Sequence, residues 1–194
     1  MFIDIHSHKI PVSGSSAIYN MPLSDIEKFL ASDVQAWFSA GIHPCFIDDF
    51  STEWLEKIKT WLDDARFVAI GECGLDKNSA TLLEKQIEVF EKQIVLSETR
   101  QKPLLIHCVG RFNELFELKK HWKPQQKWII HGFRGKPQLA KQALKVGCCL
   151  SFGEHFNAES LRIIPVEKLF VETDESELTI DEILVLLQEC LLHN

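Results

Sequence analysis

The chain has 194 residues, 45% of them hydrophobic and 25% charged, with a formal net charge of −7. This composition excludes a disordered or fibrous chain, and the acidic balance excludes broad electrostatic attraction to nucleic acid, although metal ions and a few local cations can still hold a phosphate. The length suits one globular domain over residues 1–194, yet it is short of the about 250 residues typical of an eight-stranded α/β barrel.

The opening MFIDIHSHKI has no basic stretch followed by an apolar run, so no signal peptide is expected. No segment is apolar enough for a bilayer span. The six cysteines show no CxxC pairing and sit mostly in apolar runs, as small buried residues of a reducing, cytoplasmic protein do. Along the chain, Phe2–His6 has strand character and Ser16–Asn20 has it weakly. Leu23–Leu30 is helical, with Ser24 as cap. Gln35–Ile42 is a strand candidate. Thr52–Asp64 is a helix with apolar residues three and four apart (Trp54, Leu55, Ile58, Trp61, Leu62). Phe67–Gly71 is a strand and Leu82–Thr99 a long helix. Strand and helix then alternate: Pro103–His107, Arg111–Trp122, Lys127–His131, Lys136–Val146 closed by Gly147, Cys148–Phe152, Ala158–Ile163, Leu169–Glu172 and Ile180–Cys190. Such alternation predicts an α/β fold with a parallel sheet covered by helices. Eight strands are counted if Ser16–Asn20 is one. The pattern alone leaves a closed (β/α)8 barrel and an open doubly wound sheet as alternatives. Almost no helix fits between the first two strands, a clipped start that accounts for part of the short length.

Polar residues collect where the apolar runs end. His6 and His8 end the first, Glu72 follows Phe67–Gly71, His107 and His131 end two more, and Asp174 ends Leu169–Glu172. In a parallel barrel these positions share the C-terminal rim, where active sites are built. His6 and His8 are two apart and so project from one face of a strand. Singly, each residue has an ordinary reading: a chance HxH, solvated histidines, a helix-capping Asp174. Jointly they form an imidazole–carboxylate set suited to a borderline divalent metal such as zinc or manganese. Six ligands exceed what one tetrahedral ion needs, which points to two ions sharing a bridging hydroxide. Glu72 is placed to bridge them, and Asp174 to ligate one and act as general base. Cys73 and Cys108 each follow a ligand directly and should point away from the site. For phosphate contacts Arg134 is the foremost cation, ahead of Lys77, Arg111 and Lys136. Trp54, Trp61 and Trp122 are expected to pack against the core rather than stack on bases. His121, His155 and His193 are expected at the surface, with His155 nearest the mouth of the site.

The stretches IDIHSH (3–8), AGIHP (40–44), AIGECGLD (69–76), KPLLIHC (102–108), WIIHGFRG (128–135), LSFG (150–153) and LFVETD (169–174) resemble, in order, those of the TatD family of metal-dependent deoxyribonucleases, within the amidohydrolase-like barrels. The resemblance implies a distorted (β/α)8 TIM barrel with His6, His8, Glu72, His107, His131 and Asp174 as ligands. It implies two divalent ions (Zn, Mn, Mg or Ni) and Asp174 and Glu72 as the catalytic carboxylates. His43 matches a family position near the substrate phosphate. Gln86, Phe90 and Gln93 echo a family helix and are expected to be structural. The implied activity is hydrolysis of DNA phosphodiester bonds, on DNA or a small phosphodiester, with no obligate protein partner. The alternative is a metal-dependent amidohydrolase or esterase acting on a small molecule. Lys77-Asn78 stands where the family often has aromatic residues and Arg, the basic residue after His107-Cys108 is displaced to Arg111, and the Pro-rich segment usual beyond Asp174 is missing, so the C-terminus is expected to be short.

Overall fold

The computed structural model describes residues 4–47 and 51–192. The elements follow the order β1 (Asp4–Ser7), β2 (Ala17–Asn20), α1 (Leu23–Leu30), β3 (Trp37–Ala40), a 3-10 turn (Pro44–Phe46), α2 (Ser51–Trp61), β4 (Phe67–Asp76), α3 (Leu83–Arg100), β5 (Leu104–Val109), α4 (Phe112–Trp122), β6 (Trp128–Ile130), α5 (Pro137–Lys145), β7 (Cys149–Phe152), α6 (Ala158–Leu161), a second 3-10 turn (Val166–Lys168), β8 (Leu169–Val171) and α7 (Ile180–Leu192). The eight strands form one sheet in chain order, every neighbouring pair parallel. The sheet curls until its edges meet: Ser7 bridges Asp174, the Asp174 amide donates to the His6 carbonyl at 2.8 Å and the His8 amide to the Asp174 carbonyl at 3.1 Å. The barrel is thus nearly closed, and the open-sheet alternative is set aside. Asp4 reinforces the seam by accepting from the Thr173 amide at 3.0 Å and its hydroxyl at 2.7 Å.

Two apolar layers follow from the alternation of strand residues. Ile5, Ile18, Ala69, Leu105, Ile129 and Cys149 fill the barrel interior, with Phe170 against them. The neighbouring positions, including Phe67, Leu104, Ile106, Trp128, Ile130 and Leu150, pack outward with helix residues such as Ile58, Val89, Phe90, Ile94 and Leu115. The strands are buried on both faces, which is why they read as continuous apolar runs. Cys73 and Cys108 lie with the outer layer, as expected of residues directly after Glu72 and His107.

Two strands break the two-residue period. β1 advances by three positions, from Asp4 to Ser7, while β2 advances by two, from Ala17 to Tyr19. β4 advances by three, from Ile70 to Cys73, while β5 advances by two, from Leu104 to Ile106. An extra residue shifts the inward face by one. Ala69 and Glu72, three apart, therefore both face the barrel interior. Gly71 sits at the shift: a Cβ there would lie 2.6 Å from the Leu105 carbonyl oxygen.

Several boundaries differ from the sequence reading. β4 runs on through Glu72 to Asp76, so Glu72 lies inside a strand and not at its end. Ser24 does not cap α1; its N-cap is Pro22, with no side-chain cap hydrogen bond. The nine residues expected without helix between β1 and β2 do lack one. Gly147, at φ +85°, closes α5 as expected. Phe2 and Ile3 of the first predicted strand, and His193, lie outside the described residues.

Candidate metal centre

The C-terminal parts of β1, β5, β6 and β8, with the middle of β4, bring all six predicted ligands to one place, with Glu72 at the middle. Its two carboxylate oxygens face different groups. Oε2 lies 3.5 Å from His6 Nε2 and 3.6 Å from His8 Nε2. Asp174 Oδ1 lies 3.8 and 3.6 Å from the same two nitrogens. Oε1 faces the other side, 2.9 Å from His107 Nδ1 and 2.7 Å from His131 Nε2.

These distances discriminate between hydrogen bonding and ligation. In the first group, 3.5 to 3.8 Å is too long for a hydrogen bond. It is close to the about 3.4 Å edge expected between donors about 2.1 Å from one tetrahedral ion. His6 makes the same point, since it is wholly buried and neither ring nitrogen has a hydrogen-bond partner. An orphaned buried imidazole is costly unless something else occupies it. His8 donates Nδ1–H to the Asn20 carbonyl at 3.1 Å, which leaves the Nε2 lone pair free for a cation. In the second group, the short contacts to Oε1 are hydrogen-bond lengths, so protons hold the places a cation would take. The donors present fit divalent metal, and these four imidazoles and two carboxylates would hold it.

His43 joins the second group, its Nε2 3.4 Å from Glu72 Oε1. Its Nδ1 accepts the Cys45 amide at 3.1 Å. An amide can only donate, so in the neutral ring the proton sits on Nε2, which makes His43 a hydrogen-bond donor into the site and not a ligand.

Behind the ligands stand residues the sequence reading passed over. His107 Nε2 meets Asp76 Oδ2 at 2.7 Å, and His131 Nδ1 lies 3.6 Å from Glu172 Oε1. Glu172 is fully buried and also accepts the Gly132 amide. Asn20 serves His8 through its carbonyl and ties its side-chain amide to Ser39 and the Gly71 carbonyl. Such outer partners fix ring orientation, and their loss typically costs about 10–100-fold in metal affinity or activity. Glu172→Gln should accordingly weaken zinc binding by about 10–100-fold, while the metal-free protein keeps its far-UV circular dichroism. Unchanged affinity in a calorimetric titration would remove Glu172 from this role. Gln86 and Gln93 are buried and structural, as expected. Gln86 spans the Asp76 amide and carbonyl at 2.8 and 3.0 Å. Gln93 spans those of Ile42 at 2.7 and 3.2 Å, so α3 anchors the backbone beside both Asp76 and His43.

The electrostatics follow from burying carboxylates among imidazoles. Burial opposes the charge on Glu72, but hydrogen bonds from His107, His131 and His43 outweigh it and hold the carboxyl far below the usual range. Burial likewise opposes charge on His131, and the Glu172 and Glu72 carboxylates facing its two ring nitrogens outweigh it, holding its pKa well above the ordinary 6.5. The Glu72 carboxylate, 3.6 Å from its Nε2, raises His8 too. A raised folded-state pKa contributes stability that is complete below the unfolded value and lost as pH rises through the folded one. A cation must displace those protons. From pH 6.5 upward, the metal-free protein should therefore melt at progressively lower temperature, while zinc affinity rises and proton release on binding shrinks. Thermal melts with and without chelator across pH 6 to 9 would check this; a parallel pH trend in both forms would contradict it.

The centre opens into a cleft of 730 Å3 lined on one side by the donors and on the other by Met21, Leu23, Phe46 and Trp54. Trp54 therefore does more than pack against the core. Arg134 is exposed and borders two smaller clefts, of 510 and 460 Å3, both reaching Asp174. His155, also exposed, borders the first of these and so stands near the mouth, whereas Arg111 is engaged by Glu114 at 3.1 Å. A further cavity of 840 Å3 between α4 and α5 shares no residue with the donors.

Imidazoles converging on a shared carboxylate, with His8 and His107 steadied from behind by acceptors, define a barrel metalloprotein. Comparison with known proteins narrows that class. The family described as TatD related DNase matches residues 19–177, and the chain belongs to it. It is 34% identical over 160 residues to a protein from Homo sapiens named 3'-5' RNA nuclease TATDN2, covering 76% of this chain and 21% of that one. It is 30% identical over 148 residues to the 3'-5' ssDNA/RNA exonuclease TatD of Erwinia tasmaniensis, covering 71% and 57%. It is also 30% identical over 162 residues to an uncharacterized metal-dependent hydrolase of Buchnera aphidicola, covering 78% and 60%. These alignments span between 21% and 60% of the relatives' own lengths. Among solved structures, YJJV, a TatD homolog from Escherichia coli K12, superposes with a TM-score of 0.76 at 19% identity, over 90% of this chain and 78% of that one, which supports the barrel fold. Among the described residues no helix is long and apolar enough to cross a membrane.

Proposed function

We propose that this chain is a metal-dependent phosphodiesterase acting on single-stranded nucleic acid, DNA foremost, with two divalent ions held by His6, His8, Glu72, His107, His131 and Asp174. The observation that carries the reading is the division of Glu72: one oxygen serves His6 and His8, the other His107 and His131. Bound there, divalent ions supply Lewis acidity towards a phosphoryl oxygen and ease deprotonation of water at the centre.

The chain's own groups do the rest. Asp174 has a side chain 24% exposed, against 10% for Glu72, so it is the carboxylate of the ligand set that attacking water reaches. It takes the proton from that water. The His43 Nε2–H donates to a non-bridging phosphate oxygen, and Arg134 neutralises the flanking charge from beside Asp174. The names of the human and Erwinia relatives, an RNA nuclease and an ssDNA/RNA exonuclease, support nucleic acid as the substrate.

The test is direct. The purified protein, loaded separately with zinc, manganese, magnesium or nickel, is incubated with end-labelled single-stranded DNA and RNA and with p-nitrophenyl phosphodiesters and carboxyl esters. Metal-dependent release of nucleotides is expected. Turnover of carboxyl esters alone would move the chain to the amidohydrolase and esterase class, and a protein that takes up no metal overturns both readings.

A further inference from the structure

Phe46 is 76% exposed, the most exposed aromatic side chain among the described residues. It is not loosely placed. It ends the 3-10 turn Pro44–Phe46, whose backbone is held at three points: the Phe46 amide donates to the His43 carbonyl at 2.9 Å, the Cys45 amide to His43 Nδ1 at 3.1 Å, and the Ser79 hydroxyl to the Pro44 carbonyl at 2.8 Å. Its ring lies 5.2 Å from that of His43, and the His43 ring 4.3 Å from that of His107. One imidazole thus separates an outward-facing phenyl from the donors. Trp54 lines the same cleft, with Lys57 Nζ 4.7 Å over its ring.

We infer that Phe46, with Trp54 behind it, is the stacking platform for the base next to the scissile phosphate. The inference rests on the nuclease reading and adds how the substrate is gripped. Two features of this face favour a nucleobase as occupant. The aromatic wall continues into the metal donors without an intervening element. The spacing of one histidine ring between phenyl and bridging carboxylate resembles that of one sugar between a base and its phosphate. Stacking on aromatic side chains is tolerant of sequence and suits an acidic protein that cannot hold a strand by charge alone.

Two measurements test it. In the first, binding of a fluorescent oligothymidylate to the metal-free protein is compared with binding of the same backbone carrying abasic tetrahydrofuran residues. Phe46→Ala should weaken binding to the oligothymidylate roughly tenfold, leave the abasic strand within twofold, and be rescued by Phe46→Trp. In the second, cleavage of the two strands by the metal-loaded enzyme should show the same loss as a rise in KM with kcat within twofold. Equal losses on both strands, or none on either, overturn the stacking role. A base-dependent loss of binding by a protein that cleaves neither strand supports the platform and sinks the nuclease reading. Cleavage with no base dependence does the reverse. Phe46 is exposed, so its substitution should not disturb folding, and an unchanged melting temperature verifies that.

Discussion

Asp174→Asn should leave a folded, metal-competent barrel and lower kcat by about a hundred- to ten-thousand-fold, the range of a lost general base. The expectation that the fold survives comes from the backbone. Asp174 adopts φ +52°, a left-handed conformation that asparagine tolerates as readily as aspartate. Its amide and carbonyl, not its side chain, make the bonds to His6 and His8 that close the barrel. Asn is isosteric and keeps one oxygen for His6 and His8, but it takes no proton at neutral pH. Asp174→Ala is the contrasting variant: it loses the same carboxylate and also meets the left-handed cost of roughly 1–2 kcal/mol for a residue with a plain Cβ. The pair separates chemistry from architecture, because only the Ala variant should lower the melting temperature of the metal-free protein. Substantial turnover by the Asn variant would assign the proton to another group.

Glu72→Gln should do more, because both donor groups depend on that carboxylate. The metal bound per chain should fall, with turnover reduced beyond the about 100-fold that marks loss of an outer partner. The amide keeps one oxygen but presents N–H on the other side, so one of the two groups meets a donor where it needs an acceptor. Glu72 is also the partner that raises His8, and with Glu172 it raises His131. The pH dependence expected of the metal-free protein should therefore flatten in this variant. Metal content measured by mass spectrometry after dialysis, together with melts across pH, reads both effects. Full metal content would refute the bridging role.

Much of this centre was legible in the sequence because it is tied to strand ends. An imidazole after an apolar run, repeated on several strands, marks one rim of a parallel barrel whatever the loops do. His6, His8, His107, His131 and Asp174 were found that way. Glu72 was found for a partly mistaken reason, since β4 continues past it to Asp76. A local excess of one residue, not a strand end, turns it inward, and no period-two pattern shows such an excess. Asp76 and Glu172 were passed over because their roles depend on strand register. Asp76 pairs with Val109, which brings it beside His107, and neither residue type nor spacing along the chain reveals that neighbour. His43 was placed by resemblance, and the reason it donates and does not ligate lies in one amide, that of Cys45. Phe46 was not singled out because a phenylalanine in a short apolar stretch reads as core until its exposure is seen.

The seam where β8 meets β1 has a consequence for the order of folding. The first donor group draws on His6 and His8 from one side of that seam and Asp174 from the other, and the Ser7–Thr173 contact across it joins residues 166 apart in sequence. The second group draws on β4, β5 and β6, consecutive strands that pair locally. Long loops close late, because their entropy is spent before any contact repays it. The His107–His131 half can thus assemble while β1 is still an unpaired edge. The His6–His8 half cannot exist until the last strand has docked, so an incompletely folded chain has no complete set of donors.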